Sequence, residues 1–162
     1  MTKGNSLLEI NIPDGESFRL QYLVLDYNGT LAYDGTLMPG VANGLRQLAK
    51  ILEIRVVTAD TFGRASISLA DIPCEITILP PHGQETAKLH YLENLEPHRC
   101  VAIGNGRNDS LMVGAAALGI AVIQLEGAAV ATLLAAKVAV SDIDSALGLL
   151  LNPSRLIATL RR

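Results

Sequence analysis

Hydrophobic and polar positions along the chain fall into short blocks whose period changes from two to about 3.6 and back. Residues 7–11 and 17–21 alternate apolar and polar side chains, the pattern of half-buried strands. Ile12-Pro13-Asp14-Gly15-Glu16 lies between them and contains Asp-Gly, a hairpin signal. An N-terminal β-hairpin is therefore expected, its second arm leading into a strand at 22–26. That strand is a continuous apolar run, Leu23-Val24-Leu25, ending in Asp26 and followed by Tyr27-Asn28-Gly29-Thr30-Leu31. Residues 32–37 read as a loop. After Pro39-Gly40, apolar residues at Val41, Leu45, Leu48 and Ile51-Leu52 recur at helical spacing.

The same alternation continues to the C-terminus. Strands are predicted at 54–58, 75–79, 100–104, 118–123 and 137–140. Helices are predicted near 62–70, capped by Asp60 or Thr61, and at 84–95, 109–117, 127–136 and 142–151. A terminal helical segment follows Pro153. Strand alternating with helix argues for an α/β fold, a parallel sheet with helices on both faces. No repeat or low-complexity linker interrupts it, so one domain over 1–162 is expected: a hairpin (1–21), a core (22–140) and a helical segment (141–162).

Composition narrows the picture. A chain of 162 residues suits one domain. With 49% apolar but only 4% aromatic residues and no Trp, the core must be aliphatic, which fits buried parallel strands. A net charge of −3 argues against a nucleic-acid or acidic-membrane footprint. Cys74 and Cys100 stand in apolar surroundings and read as core thiols of a reducing compartment. No long apolar stretch follows residues 1–6, so no signal peptide is read and a cytoplasmic protein is expected. Residues 111–140 are apolar but broken by Gly114, Gly119, Gln124, Glu126, Gly127 and Lys137. A membrane span needs roughly 20 unbroken apolar residues, so a buried strand and helix are expected there instead.

Strands of one parallel sheet point the same way, so polar groups at their C-terminal ends share a crevice. Asp26 and Thr58 end two of the strands, Gly104-Asn105 ends another with Asp109 just beyond, and Lys88 sits on the preceding helix. A carboxylate can attack phosphorus. A hydroxyl and a lysine can hold phosphoryl oxygens, and further oxygen donors can hold Mg²⁺.

These stretches carry a family resemblance. DYNGT (26–30) stands where the haloacid dehalogenase superfamily of phosphohydrolases and phosphotransferases has Asp-x-Asp-Gly-Thr. VVTAD (56–60) carries the motif Thr and Lys88 the motif Lys. GNGRND (104–109) stands where many members have Gly-Asp-Gly-x-Asn-Asp, and it is similar to the phosphorylation domain of P-type cation ATPases. The resemblance covers residues 20 to about 140. It implies a Rossmann-like fold and a Mg²⁺-dependent phosphatase working through an aspartyl phosphate on Asp26. It further implies catalytic roles for Asn28, Thr58 and Lys88. Substrate would be bound by Gly29, Thr30, Thr58, Ala59 and Lys88, and metal by Asp26, Asn28 (through its carbonyl), Asn105 and Asp109.

Two positions depart from the family pattern. The second acid of the first motif, a general acid/base in the family's phosphatases, is Asn28; P-type ATPases also lack a carboxylate there. Removing a general acid typically costs on the order of 10²–10⁴ in rate, so substrates with good leaving groups are expected to be favoured. Asn105 replaces an Asp and removes one negative charge from the metal site. The insertion points for a cap, between Thr30 and Thr58 and between Thr58 and Lys88, hold only short elements, so a capless protein with an open crevice is expected. Water exclusion then falls to a bulky phosphorylated substrate, small molecule or phosphoprotein, or to a neighbouring subunit. A homo-oligomer is expected, a tetramer among the options. The N-terminal hairpin is either an oligomer contact or cover for a sheet edge. The competing reading is a catalytically weakened scaffold that senses phosphate or Mg²⁺ as a regulatory protein. Asp34 and Asp60 read first as solvated loop acids that could also tune the crevice, and His82 as a surface-loop residue that could touch substrate; Arg107 reads equally as an exposed residue or as one that meets a substrate anion. His90 and His98 read as structural.

Overall fold

The computed structural model describes residues 6–60 and 63–162. Thr61, named above as a helix cap, and residues 1–5 fall outside these. The chain begins with an antiparallel hairpin, β1 (Leu8–Asn11) and β2 (Ser17–Leu20), joined through residues 12–16 as expected. Its apolar residues Ile10, Ile12, Phe18 and Leu20 are buried in this chain's own core. Lys137 pairs with Glu16 at the hairpin and lies over the Phe18 ring.

The centre is β3 (Tyr22–Asp26). A six-stranded sheet forms around it with β6 (Glu53–Thr58), β7 (Glu75–Ile78), β8 (Cys100–Gly104), β9 (Leu118–Val122) and β10 (Val138–Val140). The spatial order is β10-β9-β8-β3-β6-β7, and every pair is parallel. From β3 the chain moves outward on one side to β6 and β7, then returns to the other side of β3 as β8. Strand order reverses at β3/β8, where an open parallel sheet leaves a crevice beyond its carboxyl ends.

The period of two distributes the sheet's side chains between two cores. Leu23, Leu25, Val56, Val101 and Ile103 join a larger cluster with the hairpin, α1 (Val41–Leu48), α6 (Ile143–Leu151) and α7 (Pro153–Leu160). Val24, Val57, Cys100 and Ala102 face the other way, onto α3 (Gln84–Glu93) and α4 (Ser110–Ala115). Helices on both faces explain why the strands read as unbroken apolar runs. The short helices α2 (Arg64–Ser68) and α5 (Val130–Ala135) complete the order. Among the described residues no helix is long and apolar enough to cross a membrane.

Some expectations are corrected. Residues 32–37 form a ribbon, β4 (Ala32–Tyr33) paired with β5 (Thr36–Leu37), in place of a loop. Asp34 and Gly35 both have positive φ, 48° and 79°, as a two-residue type I′ turn requires. Helix α1 ends at Leu48 and does not continue through Ile51-Leu52. The chain turns there, with Ile51 and Leu52 N–H both bonded to the Leu48 carbonyl, so that Glu53 can enter β6 beside β3. Helix α5 starts three residues later than position 127, because Gly127 has φ 72° and belongs to a turn closed on Gln124. Among the described residues, the ribbon and α1 stand between Thr30 and β6, and α2 and β7 stand between Thr58 and α3. Both thiols are unpaired. Burial pushes Cys74 up, and burial with the nearby Glu96 carboxylate pushes Cys100 up to about 12, Arg99 opposing. Neither is a reactive thiolate near neutral pH.

Candidate functional site

Asp26 ends β3, which is buried from Leu23 onward, and is itself 7% exposed. Immediately after it the chain reverses: the Tyr27 carbonyl accepts the N–H groups of Thr30, Leu31 and Ala32. The reversal passes through Gly29 at φ 79°, a conformation that glycine adopts without cost. It returns the Thr30 hydroxyl to Asp26 Oδ2, to which it donates at 3.0 Å. Gly29 has a second reason to lack a side chain. A Cβ there would meet the Asn105 amide at 2.9–3.0 Å and would overlap the Glu126 carboxylate.

Lys88 projects from α3 and is 1% exposed. Its Nζ donates to Asp26 Oδ1 at 2.8 Å and to Asp109 Oδ1 at 2.7 Å. An ammonium has three protons, so one remains for a further acceptor. Asp109 is fully buried, and its other oxygen accepts the backbone N–H of Asn105 at 3.0 Å and of Gly106 at 2.9 Å. A side chain at Gly104 would overlap the Asp109 carboxylate, so the first glycine of GNGRND is a packing requirement. The three charges carry a net −1, and the titrations follow from that. Burial opposes the Lys88 ammonium most strongly, yet Asp26 and Asp109 together outweigh it, and Lys88 is raised above its ordinary value. Asp109 is pushed up to about 6, by burial first and by the like charge of Asp26 second, with Lys88 pulling back.

Above this buried triad opens a crevice of about 360 Å³. Asp26, Asn28, Thr58, Ala59 and Asn105 border it. Lys88 and Asp109 lie beneath its floor, and Gly29 and Thr30 are buried behind its wall. Thr58 Oγ1 accepts the Asp60 N–H at 3.2 Å and keeps its own proton to donate. The N-cap of α2 is Gly63 and not Asp60, although the Asp60 carboxylate accepts the Ala65 N–H of the first turn at 2.7 Å. Asp34, His82 and Arg107 are exposed and do not border the crevice, nor do His90 and His98.

Three features of the crevice were not anticipated. Gln84 and Asn108 border it as a locked pair, the Asn108 amide donating to Gln84 Oε1 at 3.0 Å. Gln124 donates to the carbonyls of Gly29 at 2.8 Å and Thr30 at 2.9 Å, and accepts the Ile143 N–H at 2.9 Å. It thereby ties the loop after Asp26 to the start of α6. Glu126 also borders the crevice. The signal for these last two was available. They follow the strand at 118–122, and polar residues after any strand of a parallel sheet face the same crevice. Along the chain they had stood out only as interruptions of an apolar run.

The donors around the crevice are all oxygens: carboxylates at Asp26 and Glu126, and amide or backbone oxygens at Asn28 and Asn105. That chemistry fits a hard divalent cation such as Mg²⁺, which takes carboxylates, carbonyls and water. Asn105 is oriented for it: Nδ2 donates to the Gly127 carbonyl at 3.1 Å, which turns Oδ1 towards Thr30 and leaves an acceptor. Among the described residues no three of His, Cys, Asp and Glu gather as a metal-binding group, so the amide and backbone oxygens are needed. Asp109 is fully buried and does not border the crevice, so it would reach a cation there only by a shift of its side chain.

No family model matches the chain. A relative, uncharacterized protein MJ0073 of Methanocaldococcus jannaschii, is 48% identical over 82 residues, spanning 48% of this chain and 88% of the relative. Among solved structures, 3-deoxy-D-manno-octulosonate 8-phosphate phosphatase from Moraxella catarrhalis, in complex with magnesium, phosphate and KDO, superimposes with a TM-score of 0.68 at 17% identity. That match covers 88% of this chain and 94% of the other. The cobalt-bound deoxy-D-mannose-octulosonate 8-phosphate phosphatase of Haemophilus influenzae gives 0.68 at 15% identity, over 88% and 94%. A zinc-transporting PIB-type ATPase in its E2.Pi state gives 0.58 at 24% identity, over 76% of this chain and 20% of the transporter.

Proposed function

We propose that this chain, which belongs to one family with protein MJ0073 and has the haloacid dehalogenase fold, is a metal-dependent phosphohydrolase or phosphotransferase working through an aspartyl phosphate on Asp26. The observation that carries the reading is the setting of Asp26: the end of the central strand, one oxygen on a buried ammonium, the other on a hydroxyl, facing a crevice. In the proposed reaction an Asp26 oxygen attacks phosphorus as the bond to the leaving-group oxygen breaks, and that oxygen departs with the electron pair. Thr58 and the third Lys88 proton stabilise the phosphoryl oxygens, and the Lys88 hydrogen bond holds the Asp26 carboxylate in place. Water then attacks phosphorus, releasing phosphate and the Asp26 carboxylate. A divalent cation held by Asp26, the Asn28 carbonyl and Asn105 would offset phosphoryl charge when bound. Asp109 fixes Lys88 and the 105–106 backbone.

Asn28 is exposed at the mouth of the crevice, where a leaving group departs, and an amide cannot protonate it. Acyl and aryl phosphates are therefore expected to react faster than sugar phosphates. With acetyl phosphate and Mg²⁺, intact mass spectrometry is expected to detect a phosphoryl adduct. Absence of an adduct together with absence of turnover would sink the reading and favour the phosphate- or metal-sensing alternative. Faster turnover of a sugar phosphate would sink the leaving-group argument alone. Asn28→Asp restores a proton donor and is expected to raise alkyl phosphate hydrolysis by about 10²–10⁴-fold. The open, capless crevice suits a bulky phosphorylated molecule, a phosphoprotein, or closure by a second copy of the chain.

A further inference from the structure

We propose that Glu126 supplies the second carboxylate for the divalent cation of this crevice, replacing the acid that Asn105 does not provide. The inference rests on the metal-dependent reading above.

The walls of the crevice motivate it. They carry two carboxylates, Asp26 and Glu126, and no Lys or Arg side chain. The nearby cation, Lys88, is below the floor and already shared between Asp26 and Asp109. A crevice with such walls repels a phosphate unless a cation neutralises it. Asp109 does not fill that role as placed, because it is fully buried and does not border the crevice.

Glu126 is positioned for the task. Its carboxylate lies against Gly29 beside the Asn105 amide. Among the described residues that carboxylate makes no hydrogen bond or ion pair. The loop bearing it is nevertheless fixed from both sides. Asn105 donates to the Gly127 carbonyl and accepts the Ala129 N–H at 2.8 Å, while Gln124 grips the Gly29 and Thr30 carbonyls. A fixed loop thus holds an unpaired carboxylate on the wall that Asp26 and Asn105 also line, an arrangement that a divalent cation would complete. The pattern is a relocation: the negative charge absent at position 105 returns from the loop after the next strand, at position 126.

Mn²⁺ binding, followed by the loss of the free-ion electron paramagnetic resonance signal, tests this without reference to activity. Glu126→Gln changes an exposed side chain, and circular dichroism is expected to report an unchanged fold. Its Mn²⁺ affinity is expected to fall by about 10-fold or more. Asn105→Asp in the same background is expected to recover most of the loss, and Asp26→Asn to remove binding. Wild-type affinity in Glu126→Gln with binding lost in Asp26→Asn would overturn the role of Glu126 and leave the metal site standing. Indistinguishable binding by wild type and Asp26→Asn would overturn both.

Discussion

Replacing Lys88 by methionine is expected to lower the unfolding free energy by about 3–5 kcal/mol, measured from urea unfolding midpoints. Methionine is close in length and fills the same space. The loss comes from what remains: Asp26 at 7% exposure and Asp109 at 0%, two facing carboxylates without a counter-ion. Buried pairs contribute little net stability when replaced whole, but removing one partner strands the other's charge. The double variant Lys88→Met with Asp109→Asn is accordingly expected to regain part of the loss, since an amide side chain at position 109 can still accept the 105 and 106 N–H groups through its oxygen. If Lys88→Met unfolds within about 0.5 kcal/mol of wild type, the triad is not the buried charge centre described here.

Asp26→Asn is expected to abolish the phosphoryl adduct and to reduce turnover on the order of 10⁴-fold or more, the scale seen when a covalent nucleophile is removed. The amide is isosteric and can keep a contact to both Lys88 and Thr30, so the fold is expected to persist, with Asp26→Ala as a second variant to exclude a chemical role for the amide. An adduct that survives both substitutions would place the nucleophile elsewhere. Together with Lys88→Met, this variant separates chemistry from architecture: one removes the reacting oxygen, the other the charge that holds it.

How far the sequence revealed this depended on whether the deciding physics was local. β3 and β8 fall on the expected residues, since a strand buried on both faces is written as a continuous apolar run ending at Asp26 or Gly104. The ribbon at 32–37 was missed although Asp34-Gly35 carries the same dipeptide signal used at Asp14-Gly15. Its strands are two residues long and show no alternation to read. The surroundings of Asp109 were illegible for a different reason. As a residue after a strand it reads as an oxygen donor facing the crevice. Its burial and its bonds to Lys88, Asn105 and Gly106 depend on how three segments pack.

The sequence by itself determined the alternation of strand and helix, the parallel sheet, and the delivery of Asp26, Thr58 and Asn105 to its carboxyl edge. Those follow from period, apolar runs and the turn residues that end them, all properties of neighbours along the chain. Only the tertiary structure decided which charges meet. Lys88 is 62 residues from Asp26 and 21 from Asp109, and Gln124 is 95 from the Gly29 carbonyl it holds. Contacts at such separations are set by the strand order β9-β8-β3-β6 and by the close approaches that Gly29 and Gly104 allow. The placement of Glu126 beside Asn105 belongs to this second class, because position 126 becomes a neighbour of position 105 only once β9 pairs with β8.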